Sequence, residues 1–320
     1  MFKTALTALS LVAAAATASA ETWQMSAHDP DANYLTQNDK LFAEDVERLS
    51  GGALKIEVIG NAALLSRADL KRGVQRGIVP IGEVLISALG NEDPIFNADS
   101  VPFLARTYDE ATALWAATRP LYEEKLAEQG LKILYAAPFQ PQGVYMSKEV
   151  ISADDFKGLP FRAYNAATAQ FATLLGAVPA NIASSEVPQA FSTGVIEGMI
   201  TSPAMGVDSQ SWDYLSHFYD IRAFVPKNMV IVNQKAFDKL PAEVKDAVME
   251  AARLAEARGW EMSEATTDQA IKTMAEHGIH ILQAPAALET ALGPIAATML
   301  DDWKAAAGDE AQTVLQAYQH

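Results

Sequence analysis

The chain contains no cysteine, few histidines and no excess of basic residues, and each shortage excludes a class of function. Without cysteine there is no disulfide framework and no thiol chemistry. The 24 lysines and arginines face 40 aspartates and glutamates, so the net charge is −16 and nucleic acid or anionic lipid is a poor partner. H-E-x-x-H, G-x-S-x-G, G-x-G-x-x-G and the P-loop pattern are also missing. The sequence therefore offers no recognisable zinc-hydrolase, serine-hydrolase, dinucleotide or ATP site.

Long hydrophobic runs are absent as well. No stretch after residue 20 approaches the roughly 18 apolar residues that a membrane-spanning helix needs. The N-terminal run at 5–16 is shorter, and it lies between the cation of Lys3 and an A-x-A cleavage pattern at 18–20. We therefore expect residues 1–20 to be a signal peptide and the mature protein, beginning at Glu21, to be periplasmic without inserting into the membrane. Its net charge of −17 means that an anion site must be built locally from a few cations.

Two sets of alternating patterns predict an α/β fold of two domains with doubly wound sheets. Strand patterns at 21–27, 54–58 and 78–86 alternate with helical periodicity, and the segment 152–203 reads as strand, helix, strand, helix, strand. In such sheets the ligand site lies beyond the carboxyl ends of the strands. The sequence thus predicts two sheets with a ligand site at their edges.

The proline-containing segments 139–143 and 225–226 are interpreted as crossovers between the domains. The predicted domain limits are 21–139 with 226–262 for the first domain, and 140–225 with 263–320 for the second. A stretch without a second proline predicts a helix from about 241 to 276, long enough at about 54 Å to span both domains. One further helix is expected before it, at 207–218, and two are expected after it, at 286–306 and 310–318.

Arg162 is the first candidate for chemistry. It is the one arginine of the segment 152–203, at the end of a short strand that follows a turn. A guanidinium between Phe161 and Tyr164 needs an anionic partner, and its planar fork suits a two-point contact with a carboxylate. The partner is either a ligand or a structural acid such as Asp155.

The same segment resembles the signature region of the solute-binding proteins of TRAP (tripartite ATP-independent periplasmic) transporters. The resemblance rests on D-x-K-G-L-x-x-R ending at Arg162, Leu-Gly-Ala at 175–177 with Pro179, Ser-Glu-Val at 185–187, and Thr-Gly-Val-Ile-Glu-Gly at 193–198. It extends more thinly over nearly the whole mature chain. It implies two domains spanned by a long helix around a cleft, in which Arg162 grips the carboxylate of a small organic acid, of the dicarboxylate type, for delivery to the membrane permease subunits.

Further ligand contacts follow from the same resemblance and from position. Gln142 stands where sialic-acid-binding members carry a second arginine, which puts that kind of sugar acid in doubt and suggests an amide contact. Glu83 is a lone acid in an apolar strand, so it faces either a cleft or solvent, because burying it unpaired is costly. Thr201 and Ser202 end a strand where the family has a polar contact, and ordinary strand-end capping is the alternative.

The last candidates are Asn165, Trp212 and His28. Asn165 either holds its loop or touches ligand. Trp212 lies in a helix whose tryptophan lines the site in some relatives, although aromatic residues at such spacing are commonly core. His28 follows the first strand at its carboxyl end, where a pocket or solvent can receive it.

These residues predict no catalytic group, no cofactor and no resident metal, and a ligand-bridging metal ion has no support in the sequence. We expect a monomer that is not an enzyme. Two alternatives stay open: the binding protein of an ABC importer, and a periplasmic enzyme acting on a carboxylic acid with Glu83 or His28 as its base.

Overall fold

The computed structural model describes residues 21–318, so the predicted signal peptide lies outside the described residues. Within this part of the chain the strands are β1 (Glu21–Ser26), β2 (Leu54–Ile59), β3 (Ile81–Leu85), β4 (Leu131–Pro138), β5 (Gly143–Met146), β6 (Pro160–Ala163), β7 (Val178–Asn181), β8 (Gly198–Thr201), β9 (His217–Tyr219), β10 (Lys227–Asn233) and β11 (His280–Leu282). The α-helices of the same part are α1 (Tyr34–Leu49), α2 (Arg67–Gln75), α3 (Tyr108–Glu128), α4 (Ala166–Leu174), α5 (Val187–Ser192), α6 (Pro203–Asp208), α7 (Gln234–Lys239), α8 (Ala242–Glu276) and α9 (Ala286–Tyr318). None of the helices between residues 21 and 318 is both long and apolar enough to cross a membrane.

The first sheet has the strand order β2-β1-β3-β10-β4. β1 is parallel to β2 and β3, because helical crossovers connect these strands. β10 is antiparallel to both of its neighbours. The chain leaves this sheet after β4 and returns through β10 from the same side, so the two strands must run in opposite directions.

The second sheet has the order β11-β9-β5-β8-β6-β7. β6 is parallel to β7 and β8, as the strand and helix pattern of the segment 152–203 predicts. β5, through which the chain enters, is antiparallel to β8 and β9. The predicted α/β class with two sheets is therefore confirmed, and both sheets are mixed because each contains a strand that crosses from the other.

The two crossovers lie side by side and hydrogen-bond to each other. The backbone N–H of Phe139 donates to the carbonyl of Pro226 at 2.8 Å, and the N–H of Gln142 donates to the carbonyl of Phe224 at 2.9 Å. The N–H of Ala223 returns a bond to the carbonyl of Gln142 at 2.9 Å. The connection between the sheets is thus a short paired ribbon, which resists twisting more than bending.

α8 is 35 residues long, close to the predicted helix. It packs against α1 and β4 beside the first sheet and against α6 beside the second. Gly259 permits the closest approach, because a Cβ at this position would lie 2.6 Å from the Cβ of Ala137 on β4. α8 therefore braces both sheets along one side of the molecule.

α9 is bent at Gly308, which has a left-handed φ of 57°, and this bend matches the two predicted helices. Its first part packs with the second sheet, through Leu288 and Met299. Trp303, before the bend, and Val314, after it, join the apolar cluster of the first sheet. Assigning all of 263–320 to the second domain does not follow this packing, and we propose that the end of α9 belongs to the first domain.

Two local predictions are wrong. The predicted strand 78–86 is shorter, since Pro80 has no N–H for the strand ladder and β3 begins after it. The predicted helix 207–218 is absent: α6 ends at Asp208, and Gln210 has a left-handed φ of 50° that an α-helix cannot contain. Trp212 lies in a short 3-10 turn, and β9 follows.

Candidate functional site

The loops that follow β1, β3, β6, β7 and β8 meet between the two sheets and enclose two adjoining cavities. The outer cleft has a volume of about 910 Å³, and the inner chamber has a volume of about 30 Å³. Four residues line both and so form the boundary between them: Arg67, Arg162, Tyr164 and Ser184. The candidate site is this boundary, where side chains from both sides of the cleft converge.

Arg162 lies at the end of β6 and is 4% exposed. Its Nε donates to the carbonyl of Ile182 at 3.0 Å, and its guanidinium carbon lies 5.2 Å from the ring centroid of Tyr164. No carboxylate oxygen in the described chain lies within 4.0 Å of it, and Asp155 accepts instead from the N–H groups of Ile151 and Ser152. Its terminal nitrogens are thus available to a ligand.

Arg67, which the sequence analysis missed, approaches from the other side. It is the first residue of α2, and its half-buried guanidinium also has no carboxylate within 4.0 Å among residues 21–318. A cation there opposes the helix dipole, which favours acids at this end. That unfavourable placement, directly after the N-cap residue Ser66, was the signal that could have identified it.

The two guanidiniums repel each other across the site. Burial, followed by the charge of Arg67, lowers the pKa of Arg162 to about 10, so that it remains a cation at neutral pH. Burial likewise lowers the pKa of Arg67, against the opposing effect of Asp29 and Glu83. A buried and a half-buried cation with no ion-pair partner among residues 21–318 are costly to the free protein, and an anion bound between them removes that cost.

Gln142, Thr201 and Ser202 line the inner chamber, as the sequence analysis expected of a site. Gln142 Oε1 accepts a hydrogen bond of 2.7 Å from the hydroxyl of Tyr164, which fixes the amide beside the arginines. Ser202 Oγ accepts from the N–H of Met205 at 3.2 Å and caps α6. Ser202 therefore serves the capping alternative, while its neighbour Thr201 is buried at the chamber wall.

His28 and Asn165 line the outer cleft and hydrogen-bond across it. His28 Nε2 lies 3.1 Å from Ser184 Oγ, and Asn165 Nδ2 donates to Ser87 Oγ at 2.8 Å. Burial and the two arginines lower the pKa of His28 to about 3, so the ring is neutral. Both residues therefore link the two sides of a closed cleft, and Asn165 Oδ1 also caps α4.

Two predicted site residues do not line either cavity. Glu83 is 3% exposed on β3, where its Oε2 has no hydrogen-bond partner among the described residues. Trp212 stacks on His277 with ring centroids 4.1 Å apart, within an apolar cluster under the second sheet. Trp212 is partly buried against that cluster, which agrees with the core alternative.

No cluster of three or more potential metal-binding histidines or acids occurs among residues 21–318. The donors that do converge are guanidiniums, an amide and hydroxyls, which suit an organic anion. A ligand held there can be bound and enclosed.

Glu83 gives the folded protein a predictable response to pH. Burial and the carboxylate of Asp29 raise the pKa of Glu83 to about 7. The folded state therefore binds more protons than the unfolded state between about pH 4.5 and 7, and the free energy of unfolding falls as pH rises through this window, by at most about 1.4 kcal/mol per pH unit for one proton. Glu83→Gln should flatten that fall and stabilise the protein at pH 8.

Urea denaturation at several pH values between 5 and 8 measures this slope. Glu57→Gln, at an exposed acid of β2, is the matched control and should leave the slope unchanged. An unaltered slope in Glu83→Gln would contradict the prediction.

Known proteins are similar to this chain over most of its length. The family described as bacterial extracellular solute-binding protein, family 7, matches residues 25–302. The crystal structure of DctP7, a Bordetella pertussis extracytoplasmic solute receptor binding pyroglutamic acid, is similar with 51% identity over 94% of this chain and 100% of that chain, and the TM-score is 0.93. A TRAP solute-binding protein from a marine metagenome, specific for pyroglutamate, has 35% identity over 94% of this chain and 99% of its own, with a TM-score of 0.92. The C4-dicarboxylate-binding periplasmic protein DctP of Rhodobacter capsulatus is 27% identical over 79% of each chain.

Proposed function

Because the chain belongs to family 7 of the bacterial extracellular solute-binding proteins, and so captures a small organic acid as a TRAP receptor, we propose that this acid is pyroglutamate. The alternative of an ABC importer is set aside with the family assignment. Support for the ligand comes from the 51% and 35% identical receptors, both of which bind pyroglutamate.

The observation that carries this proposal is the pair of guanidiniums without ion-pair partners at the boundary of the two cavities. Pyroglutamate is a five-membered cyclic amide with one carboxylate. Arg162 is proposed to bind the carboxylate through its terminal nitrogens, and Arg67 to donate to the ring carbonyl. The inner chamber alone holds only a few water molecules, so an outward rotation of the half-buried Arg67 is proposed to join the cavities around the ligand.

Closure completes the proposed capture. The cleft is held by hydrogen bonds between its two sides, among them the one from Asn33 Nδ2 to Asp208 Oδ2 at 2.6 Å. A ligand favours this closed form only by binding it more tightly than the open form. Enclosure also removes screening water, which strengthens the contact between a guanidinium and a carboxylate. The closed, loaded receptor is proposed to be what the TRAP permease subunits accept.

The location and the absence of catalysis are part of the same proposal. Family members act outside the cytoplasm, and a signal peptide at 1–20 is proposed to bring the mature chain to the periplasm as a monomer. We propose no cofactor and no turnover, because the neutral His28 ring is hydrogen-bonded to Ser184 and Glu83 lines neither cavity. Recovery of unchanged pyroglutamate after incubation separates this view from the enzyme alternative.

Calorimetric titration tests the ligand. Pyroglutamate is expected to bind at least about tenfold more tightly than glutamate, proline or succinate, since each of these lacks the neutral amide or the ring. A second candidate, a C4-dicarboxylate, is favoured by the presence of two guanidiniums and by the Rhodobacter capsulatus relative. Tighter binding of succinate than of pyroglutamate would contradict the proposal and select this candidate.

A further inference from the structure

An acid in the middle of an anion site needs an explanation. Asp29 lies in the loop after β1, is 4% exposed, and lines the inner chamber together with Arg67 and Arg162. Its backbone carbonyl accepts hydrogen bonds from the N–H of Asn61 at 2.9 Å and from the hydroxyl of Thr36 at 3.1 Å, which fix the position of the loop. A fixed carboxylate at this place repels every anionic ligand, unless the ligand also offers it a hydrogen-bond donor.

The carboxylate of Asp29 is poorly satisfied by the protein. In the described chain its one hydrogen bond is a long contact of 3.5 Å, from Asn228 Nδ2 to Oδ2. No cation lies within 4.0 Å of it, so Arg67 attracts it only through space. Oδ1 has no partner among residues 21–318 and is not fully enclosed, so it borders open space in the chamber. A buried carboxylate can accept several hydrogen bonds and donates none while it is ionised, so this one has free acceptor capacity.

We infer that Asp29 is the specificity residue that accepts a hydrogen bond from the ring N–H of the ligand, so that the site selects cyclic amides over lactones and dicarboxylates. This inference rests on the proposed function. An amide N–H is a donor without charge, so it satisfies Asp29 while the ligand's one negative charge is bound by Arg162. A lactone places an oxygen lone pair against the carboxylate instead, and a dicarboxylate adds a second negative charge.

The competing explanation is that Asp29 only balances the charge of Arg67. A charge acting through space changes the affinity of all monoanionic ligands of one shape by the same factor. A hydrogen bond discriminates between ligands that differ in one atom. The lactone 5-oxotetrahydrofuran-2-carboxylate differs from pyroglutamate only by a ring oxygen in place of the N–H. The ratio of the two dissociation constants therefore reports the contact and cancels the general electrostatics.

Calorimetric titration of the mature protein with both compounds at pH 7.5 is the experiment. The wild type should prefer pyroglutamate over the lactone by at least about 50-fold, since the lactone leaves a buried acceptor unpaired. Asp29→Ala should reduce this preference to less than about fivefold. Asp29→Asn keeps an acceptor oxygen for the ring N–H but adds an NH2 group that can donate to the lactone oxygen, so it should retain only part of the preference, whereas a pure charge effect would make the two variants equal.

The matched control is Asp208→Asn, at a nearby acid that is already paired with Asn33 across the cleft. It should shift both dissociation constants by the same factor, and retained lactone binding shows that each variant is folded. A wild type that binds the two compounds equally, or an Asp29→Ala variant that keeps the full preference, overturns the inference while pyroglutamate binding still stands. A wild type that binds neither compound contradicts the proposed function itself.

Discussion

Arg162→Ala is expected to weaken the binding of pyroglutamate by about 30- to 5,000-fold. Truncating one partner of a buried, hydrogen-bonded charge pair costs about 2 to 5 kcal/mol, and about 1.4 kcal/mol corresponds to a factor of ten. Arg162 is almost fully buried, its Nε is held by the carbonyl of Ile182, and its terminal nitrogens are free of protein partners in the described chain. The loss is large because water cannot replace the guanidinium in a closed cleft.

The stability of the free protein should respond in the opposite direction. Burying a cation without an ion-pair partner is unfavourable, so the ligand-free Arg162→Ala variant should melt at the same or a higher temperature than the wild type. Calorimetric titration and thermal melting without ligand measure the two effects separately. Arg162→Lys keeps the charge but not the planar fork, and should still lose at least about tenfold in affinity.

The matched control for Arg162 is Arg253→Ala, because Arg253 is exposed on α8 and paired with Glu250 of the same helix. Its affinity for pyroglutamate should equal that of the wild type. Wild-type affinity in Arg162→Ala would remove the residue from the site, and a collapse of its melting temperature would indicate a structural ion pair instead.

Arg67→Met is expected to weaken binding by about 10- to 200-fold, corresponding to a charged hydrogen bond of about 1.5 to 3 kcal/mol. The effect is smaller than for Arg162 because Arg67 is only half-buried. Methionine keeps much of the aliphatic length, so the packing of α2 against β3 should survive. The change therefore isolates the loss of the charged donor.

The two arginines should also be coupled. Because each buried cation is relieved by the same anion, the double variant should lose less than the sum of the two single losses in free energy. Arg72→Met is the matched control on the same helix, since Arg72 lines the outer cleft but is paired with Asp69. It should change the affinity by less than about threefold. Equal losses of affinity in Arg72→Met and Arg67→Met would mean that Arg67 acts only through its general positive charge.

Part of this site could be predicted from local sequence alone. Arg162 lies at the end of a strand that the neighbouring residues predict. The parallel unit around it alternates strand and helix along the sequence. The helix α8 was predictable for the same reason, since a long stretch without proline and with an apolar stripe determines a helix locally. These features depend on periodicity, which can be recognised in the sequence without knowledge of the fold.

The rest depended on which distant segments meet. Arg67 and Asp29 were missed because the signals near them in the sequence, a cation at the start of α2 and the neighbouring His28, are weak, and the two residues form a site only when the loop after β1 and the start of α2 close against the end of β6. Trp212 and Glu83 line neither cavity for the complementary reason, since the left-handed Gln210 ends the helix predicted around Trp212 and tertiary packing buries Glu83.

The sequence by itself therefore determined the α/β class and the long helix and indicated Arg162 as a candidate for anion binding, because each depends on neighbouring residues. Only the tertiary structure decided that a second arginine faces the first, that an acid shares their chamber, and that the end of α9 returns to the first sheet. Such contacts join residues far apart in the sequence, as Arg67 and Arg162 show, and their free energy exists only once the crossovers have brought the two sheets together.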